Sequence, residues 1–123
     1  MRILLAEDDQ NISIIAKMAL EHFGKHVVVV AEDGEQALGK ALSEPFDLIL
    51  LDEMMPKMNG VTVCRNYLKT HPRPSPIIFL SAKSQEADIE EFRSLALGHI
   101  PKPFEPTQIC TQIDRLLQER KVA

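Results

Sequence analysis

The chain has 123 residues, close to the commonest size of one domain, and its 45% hydrophobic and 26% charged residues predict a single water-soluble core. No apolar run is long enough to cross a bilayer, and the start, MRILLAEDD, meets acids where a secretory signal would stay apolar, so cytoplasmic residence without membrane insertion is expected. A net charge of -4 with scattered basic residues argues against direct nucleic-acid binding.

Residues 2–6 read as a first strand, which ends in three acids, Glu7, Asp8 and Asp9. Carboxylates packed this closely repel one another, so such a cluster titrates abnormally or holds a cation. The competing reading is the polar start of a solvated helix, and three acidic letters alone favour it. Next, Ile12, Ile15, Ala16, Ala19 and Phe23 recur at helical spacing up to Gly24, a natural terminator. Residues 26–31 form a second apolar run, and 34–43 a second helix.

The third strand, 47–52, ends on Asp52, and a third helix over 60–70 is closed by the prolines of HPRPSP. After a fourth strand at 77–80, Ser84 is the expected cap of a helix over 85–95 that carries few large apolar residues. The fifth strand covers 99–101, and a last helix starts near Pro106 with Ile109, Ile113, Leu116 and Leu117 facing inward. Cys64 and Cys110 lie 46 residues apart with no metal-ligand spacing and read as buried small side chains. His22, His26, His71 and His99 show no ligand spacing either.

Five continuous apolar runs alternating with five helices predict an α/β domain with a doubly wound, five-stranded parallel sheet. Ligand sites of this architecture lie beyond the carboxyl ends of the strands, where strand order reverses. In the order 2-1-3-4-5, one of two common orders and taken here rather than derived, strands 1 and 3 are neighbours. Glu7, Asp8 and Asp52 then converge, and Pro101 falls in an edge strand, where proline is best tolerated.

The motifs ILLAEDD, DLILLDEMMPKMNG, IIFLSAK and KPF, at the ends of strands 1, 3, 4 and 5, resemble the receiver domains of bacterial two-component response regulators over the whole chain. That resemblance implies a flavodoxin-like fold and a phosphoacceptor switch that assists its own phosphorylation and dephosphorylation without being an enzyme. Asp52 would take a phosphoryl group from a sensor histidine kinase or a histidine phosphotransfer protein. Mg2+ would be bound directly by Asp8 and Asp52, through water by Glu7, and by the backbone carbonyl of Met54, with Asp9 left to start the first helix. Lys102 would pair with a phosphoryl oxygen opposite the metal, held by a cis Lys102–Pro103 bond. The Ser81 hydroxyl would move to the phosphoryl group and shift the face formed by helix 4, strand 5 and helix 5 toward a downstream target protein or a homodimer.

Departures from the family pattern are visible in the same sequence. His99 stands where a Tyr or Phe switch residue is common, and its titration would make the output pH-sensitive. Leu95 replaces a common glycine. Met54 and Lys83 occupy the variable positions that govern water access to the acyl phosphate, and a bulky Met54 is expected to slow self-hydrolysis. The chain ends at Ala123 directly after the last helix, so a stand-alone switch or phosphorelay carrier is expected. A flavin-binding redox protein is disfavoured because three acids would repel the FMN phosphate. A haloacid-dehalogenase-type phosphatase is disfavoured because Met54 stands where its second Asp belongs. A non-phosphorylated pseudo-receiver acting as a binding module is the remaining alternative.

Overall fold

The computed structural model describes the backbone of residues 1–122 and the side chains of residues 1–120. Five strands, β1 (Arg2–Ala6), β2 (Val27–Ala31), β3 (Leu48–Asp52), β4 (Ile77–Ser81) and β5 (Gly98–Pro101), form one parallel sheet in the order β2-β1-β3-β4-β5. Five helices alternate with them: α1 (Gln10–Gly24), α2 (Gly34–Ser43), α3 (Gly60–Thr70), α4 (Glu86–Leu95) and α5 (Ile109–Val122). The expected class and strand order are therefore found, with Pro101 in the edge strand β5.

Alternation along each strand divides the core between the two faces of the sheet. Ile3 and Leu5 pack with Ala16, Ala19 and Leu20 of α1 and with Ile109 and Ile113 of α5. Leu4 and Ala6 point the other way, toward Ala37 and Ala41 of α2, Val63 and Tyr67 of α3, and Phe92 of α4. Both β3 and β4 are buried along their whole length, as expected of central strands covered on two sides. Among the described residues, α4 contributes Phe92 alone to the fully buried set, which matches its sparse apolar pattern.

Several boundaries and faces differ from the sequence expectation, each for a physical reason. The buried side of α1 is Ser13, Ala16, Ala19 and Leu20, whereas Ile15 and Phe23 are 48% and 54% exposed. Small side chains let the helix sit close on the sheet, and this rotates the bulkier residues out to its flank. Gly24 is the last helical residue, and Lys25 adopts the left-handed conformation instead, with φ 57°. The glycine is required for space: a Cβ there would come 2.5 Å from the His26 ring and 2.9 Å from Cys110 Sγ.

Gln85, not Ser84, is the cap residue of α4, and it makes no side-chain cap hydrogen bond. The first turn of α4 instead carries Glu86 and Asp88, whose charges suit a helix N-terminus. The last helix starts at Ile109 rather than near Pro106, because the Gln108 and Ile109 amides first close a turn on the Glu105 carbonyl at 2.9 and 3.1 Å. Cys64 is buried as expected, while Cys110 is only partly so, and both are free thiols that burial pushes above their ordinary pKa. No helix among the described residues is long and apolar enough to cross a membrane.

Holding a side chain in the left-handed region costs about 1–2 kcal/mol, and glycine gives back about 0.5–1 kcal/mol through its greater freedom when unfolded. Lys25→Gly is therefore expected to raise stability by about 0.5–1 kcal/mol. A higher urea midpoint at unchanged slope would show it; a lower midpoint would mean that the Lys25 side chain makes a compensating contact.

Candidate functional site

The parallel register assembles the site. Ala6 pairs with Leu51 across β1 and β3, so Glu7 and Asp52, one residue further on, emerge side by side at the carboxyl edge of the sheet. Asp52 also pairs with Leu80, and Ser81 with Pro101, so Ser81 and Lys102 lie on the same rim. The Lys102 amide donates to the Ser81 carbonyl at 3.0 Å, and the Lys102–Pro103 bond is cis, as expected. Gly60, the first residue of α3, backs the Asp52 position. Its Cβ would lie 2.3 Å from the Asp52 carbonyl oxygen, so the chain approaches there only as glycine.

These elements line an open cleft of about 410 Å³ whose walls include Glu7, Asp8, Asp52, Ser81, Lys83 and Lys102. One carboxylate oxygen from each of Glu7, Asp8 and Asp52 lies within 4.8 Å of the others. Asp9 is separate, as expected: its carboxylate caps α1 by accepting from the Asn11 and Ile12 amides at 2.9 and 3.3 Å. Glu7 and Asp52 are 2% and 4% exposed, while Asp8 faces solvent. Lys102 Nζ stands between the two buried acids, 2.6 Å from Glu7 Oε1 and 2.9 Å from Asp52 Oδ1.

Burial and the neighbouring Glu7 carboxylate push Asp52 up to about 7, against the pull of Lys102. Burial alone would lower the Lys102 ammonium, but its contacts with Glu7 and Asp52 outweigh that and hold it above its ordinary value. An all-oxygen donor set with one solvent-facing member suits Mg2+, which takes oxygen ligands at about 2.0–2.1 Å, spans about 4 Å between opposite ligands and keeps several waters. The three carboxylates, within 4.8 Å of one another, make a cluster consistent with a Mg2+ site in which a water completes the contact.

Ser81 is buried, and its hydroxyl accepts from the Lys83 amide at 3.0 Å. The Met54 side chain is 71% exposed on the cleft rim, and its amide approaches Asp52 Oδ1 at 3.4 Å. His99 is not a plain surface residue. Its ring stacks 5.6 Å from Phe92, which in turn stacks 4.8 Å from Phe79, so β5 and α4 share an aromatic contact. Burial, then the Arg93 charge, lowers the His99 pKa from its ordinary value.

Glu53 was not singled out by sequence pattern. It follows Asp52 directly, is 8% exposed, and pairs with Lys83 at 3.0 Å, which raises the lysine. The available signal was an acid set immediately behind the apolar run LILLD, where a solvated charge is not expected.

Because the folded state favours a proton on Asp52, its charge opposes folding above about pH 7, and this penalty fades as pH falls from about 7 toward the ordinary value of 3.8. With chelator present, Asp52→Asn is expected to raise the melting temperature at pH 8 and to raise it less at pH 5. A gain that grows on acidification would contradict the repulsion.

The model of the response regulator receiver domain matches residues 3–114. The alkaline phosphatase synthesis transcriptional regulatory protein PhoP of Bacillus subtilis is 36% identical over 125 residues, covering 99% of this chain and 50% of that protein. The transcriptional regulatory protein CpxR of Escherichia coli is 39% identical over 120 residues, covering 95% and 49%. The chain thus spans about half the length of the curated relatives it matches. Among solved structures, the receiver domain of Francisella response regulator 1452 superposes with a TM-score of 0.85 at 28% identity, covering 97% of this chain and 98% of that one. A CheY-like receiver domain protein from Methanospirillum hungatei gives 0.83 at 27% identity, covering 99% and 98%. With the acidic cleft, the half-buried lysine and this agreement along nearly the whole length, the chain belongs to the response regulator receiver domain family, whose members are signalling switches rather than enzymes in the ordinary sense.

Proposed function

We propose that Asp52 is a phosphoacceptor that takes its phosphoryl group from a phosphohistidine on a sensor histidine kinase or histidine phosphotransfer protein. The observation that carries this reading is the buried Asp52 carboxylate flanked by Glu7 and Asp8 and contacted by the Lys102 ammonium. An Asp52 oxygen attacks phosphorus, the phosphorus–nitrogen bond breaks, and the imidazole leaves with a proton. An anionic nucleophile meets an anionic phosphoryl group only where positive charge screens the encounter. Asp8 and Asp52 directly, Glu7 through water and the Met54 carbonyl would hold Mg2+, which would supply that screening.

Lys102 lies within reach of the phosphoryl oxygens, and Ser81 on the same rim can offer its hydroxyl to them. Turning Ser81 inward gives up its bond to the Lys83 amide and frees the segment leading into α4. The shift then reaches the α4–β5–α5 surface through the Phe92–His99 stack, presenting it to a downstream protein or a second copy of the chain. The donor protein lands on the flank of α1, where Ile14, Ile15, Met18 and Phe23 are exposed and Ile12 reaches the cleft wall. Cytoplasmic residence fits the two free thiols.

Incubation with acetyl phosphate and Mg2+ is expected to add one phosphoryl group, seen by intact mass, and both chelator and Asp52→Asn are expected to abolish it. A gain that survives Asp52→Asn would overturn the assignment. No gain in the unaltered protein would favour a non-phosphorylated binding module. Met54→Asn, which replaces an apolar side chain at the cleft rim with a polar one that can lead water in, is expected to shorten the life of the phosphorylated form. An unchanged or longer life would remove Met54 from that role.

A further inference from the structure

Two lysines line the cleft, and they are held differently. Lys102 is bound by the site itself, between Glu7 and Asp52, whereas Lys83 is drawn aside by Glu53, with Nζ 3.0 Å from Oε1. The acid is the fixed partner of that pair. Its backbone amide donates to the Leu80 carbonyl at 3.1 Å, and its carbonyl accepts from the Gly60 amide at 2.9 Å. The Glu53 side chain is 11% exposed and the Lys83 side chain 46%. Glu53 Oε2 is buried with no hydrogen-bond partner among the described residues, so compensation of the carboxylate rests on Lys83.

We propose that Glu53 is a positioning residue that keeps the Lys83 ammonium at the cleft rim and away from the phosphoryl group, and thereby shortens the life of phosphorylated Asp52. This rests on the phosphoacceptor reading. In the resting protein Lys83 is tied twice, through its amide to Ser81 Oγ and through its side chain to Glu53. Once Ser81 turns to the phosphoryl group the first tie is gone, and Glu53 alone restrains the ammonium. Without that carboxylate, a phosphoryl group carrying about two negative charges draws the ammonium in.

Hydrolysis bonds a water oxygen to phosphorus while the bond from phosphorus to the Asp52 oxygen breaks, releasing phosphate and the free carboxylate. An ammonium drawn to the phosphoryl group carries the lysine stem across the open side of the cleft, where it blocks the attacking water and so slows hydrolysis.

The test loads the protein with acetyl phosphate and Mg2+, removes the donor, and follows decay of the phosphorylated form by intact mass. Glu53→Gln is expected to lengthen the half-life severalfold. Glu53→Met, which fills the same buried space without a carboxylate, is expected to do the same and stands in if the glutamine variant does not fold. Adding Lys83→Met to either variant is expected to abolish the lengthening, which a merely structural role of Glu53 would not predict. An unchanged or shorter half-life in the single variants, or a lengthening that persists with Lys83→Met, overturns this inference alone. Failure of the unaltered protein to become phosphorylated overturns the phosphoacceptor reading and this one with it.

Discussion

The structure depends on keeping three carboxylates together at one edge of a sheet. Glu7, Asp8 and Asp52 face a single ammonium, Lys102, among the described residues, which leaves two negative charges uncompensated. One divalent cation would make up that deficit. Burial first, then the neighbouring Glu7 carboxylate, pushes Asp52 toward neutrality. Spread over a surface, the same acids would be screened by water and would neither order an ion nor activate a nucleophile.

Such a cluster needs a rigid frame, and the fold places its rigidity where the charges are. β1 and β3 pair in register for four residue pairs, and both are flanked by packed strands. Gly60 lets the start of α3 press against the Asp52 backbone, so Asp52 is fixed from behind as well as along the strand. Away from the site the packing weakens, down to α4 with its single fully buried side chain among the described residues. The stiff part of the molecule carries the acidic cluster, and the loosest packing lies at α4.

Most of this was legible in the sequence because it is local. Continuous apolar runs ending in Asp8 or Asp52 mark strands and their carboxyl ends, and the proline cluster after Thr70 marks a helix end. Periodicity marks α1 through its bulky apolar residues, whereas burial there is decided by how closely Ala16 and Ala19 let the helix approach the sheet. Lys25 took the left-handed cap because the packing of His26 and Cys110 against Gly24 is a tertiary fact. Glu53 and Lys83 are 30 residues apart and meet only through the register of β3 and β4, so neither pattern nor motif reveals the pair.

Magnitudes decide where a phosphoryl signal would travel. Moving a two-state equilibrium from about 1:99 to 99:1 requires about 5.5 kcal/mol of differential interaction. Hydrogen bonds to a charged group contribute about 1.5–3 kcal/mol each, so two new ones, from Ser81 and Lys102, come near that figure and leave little for disrupting a packed interface. Separating α1 from the sheet would expose Ala16, Ala19 and Leu20 together with the side chains they cover, more than such a signal supplies. Moving α4 disturbs mainly Phe92 and its stacking on Phe79 and His99, and a tilted aromatic pair adds only about 0.5–1.5 kcal/mol beyond its burial. On the phosphoacceptor reading that contact can be remade in a second arrangement, so the response falls on the α4–β5–α5 surface rather than on α1.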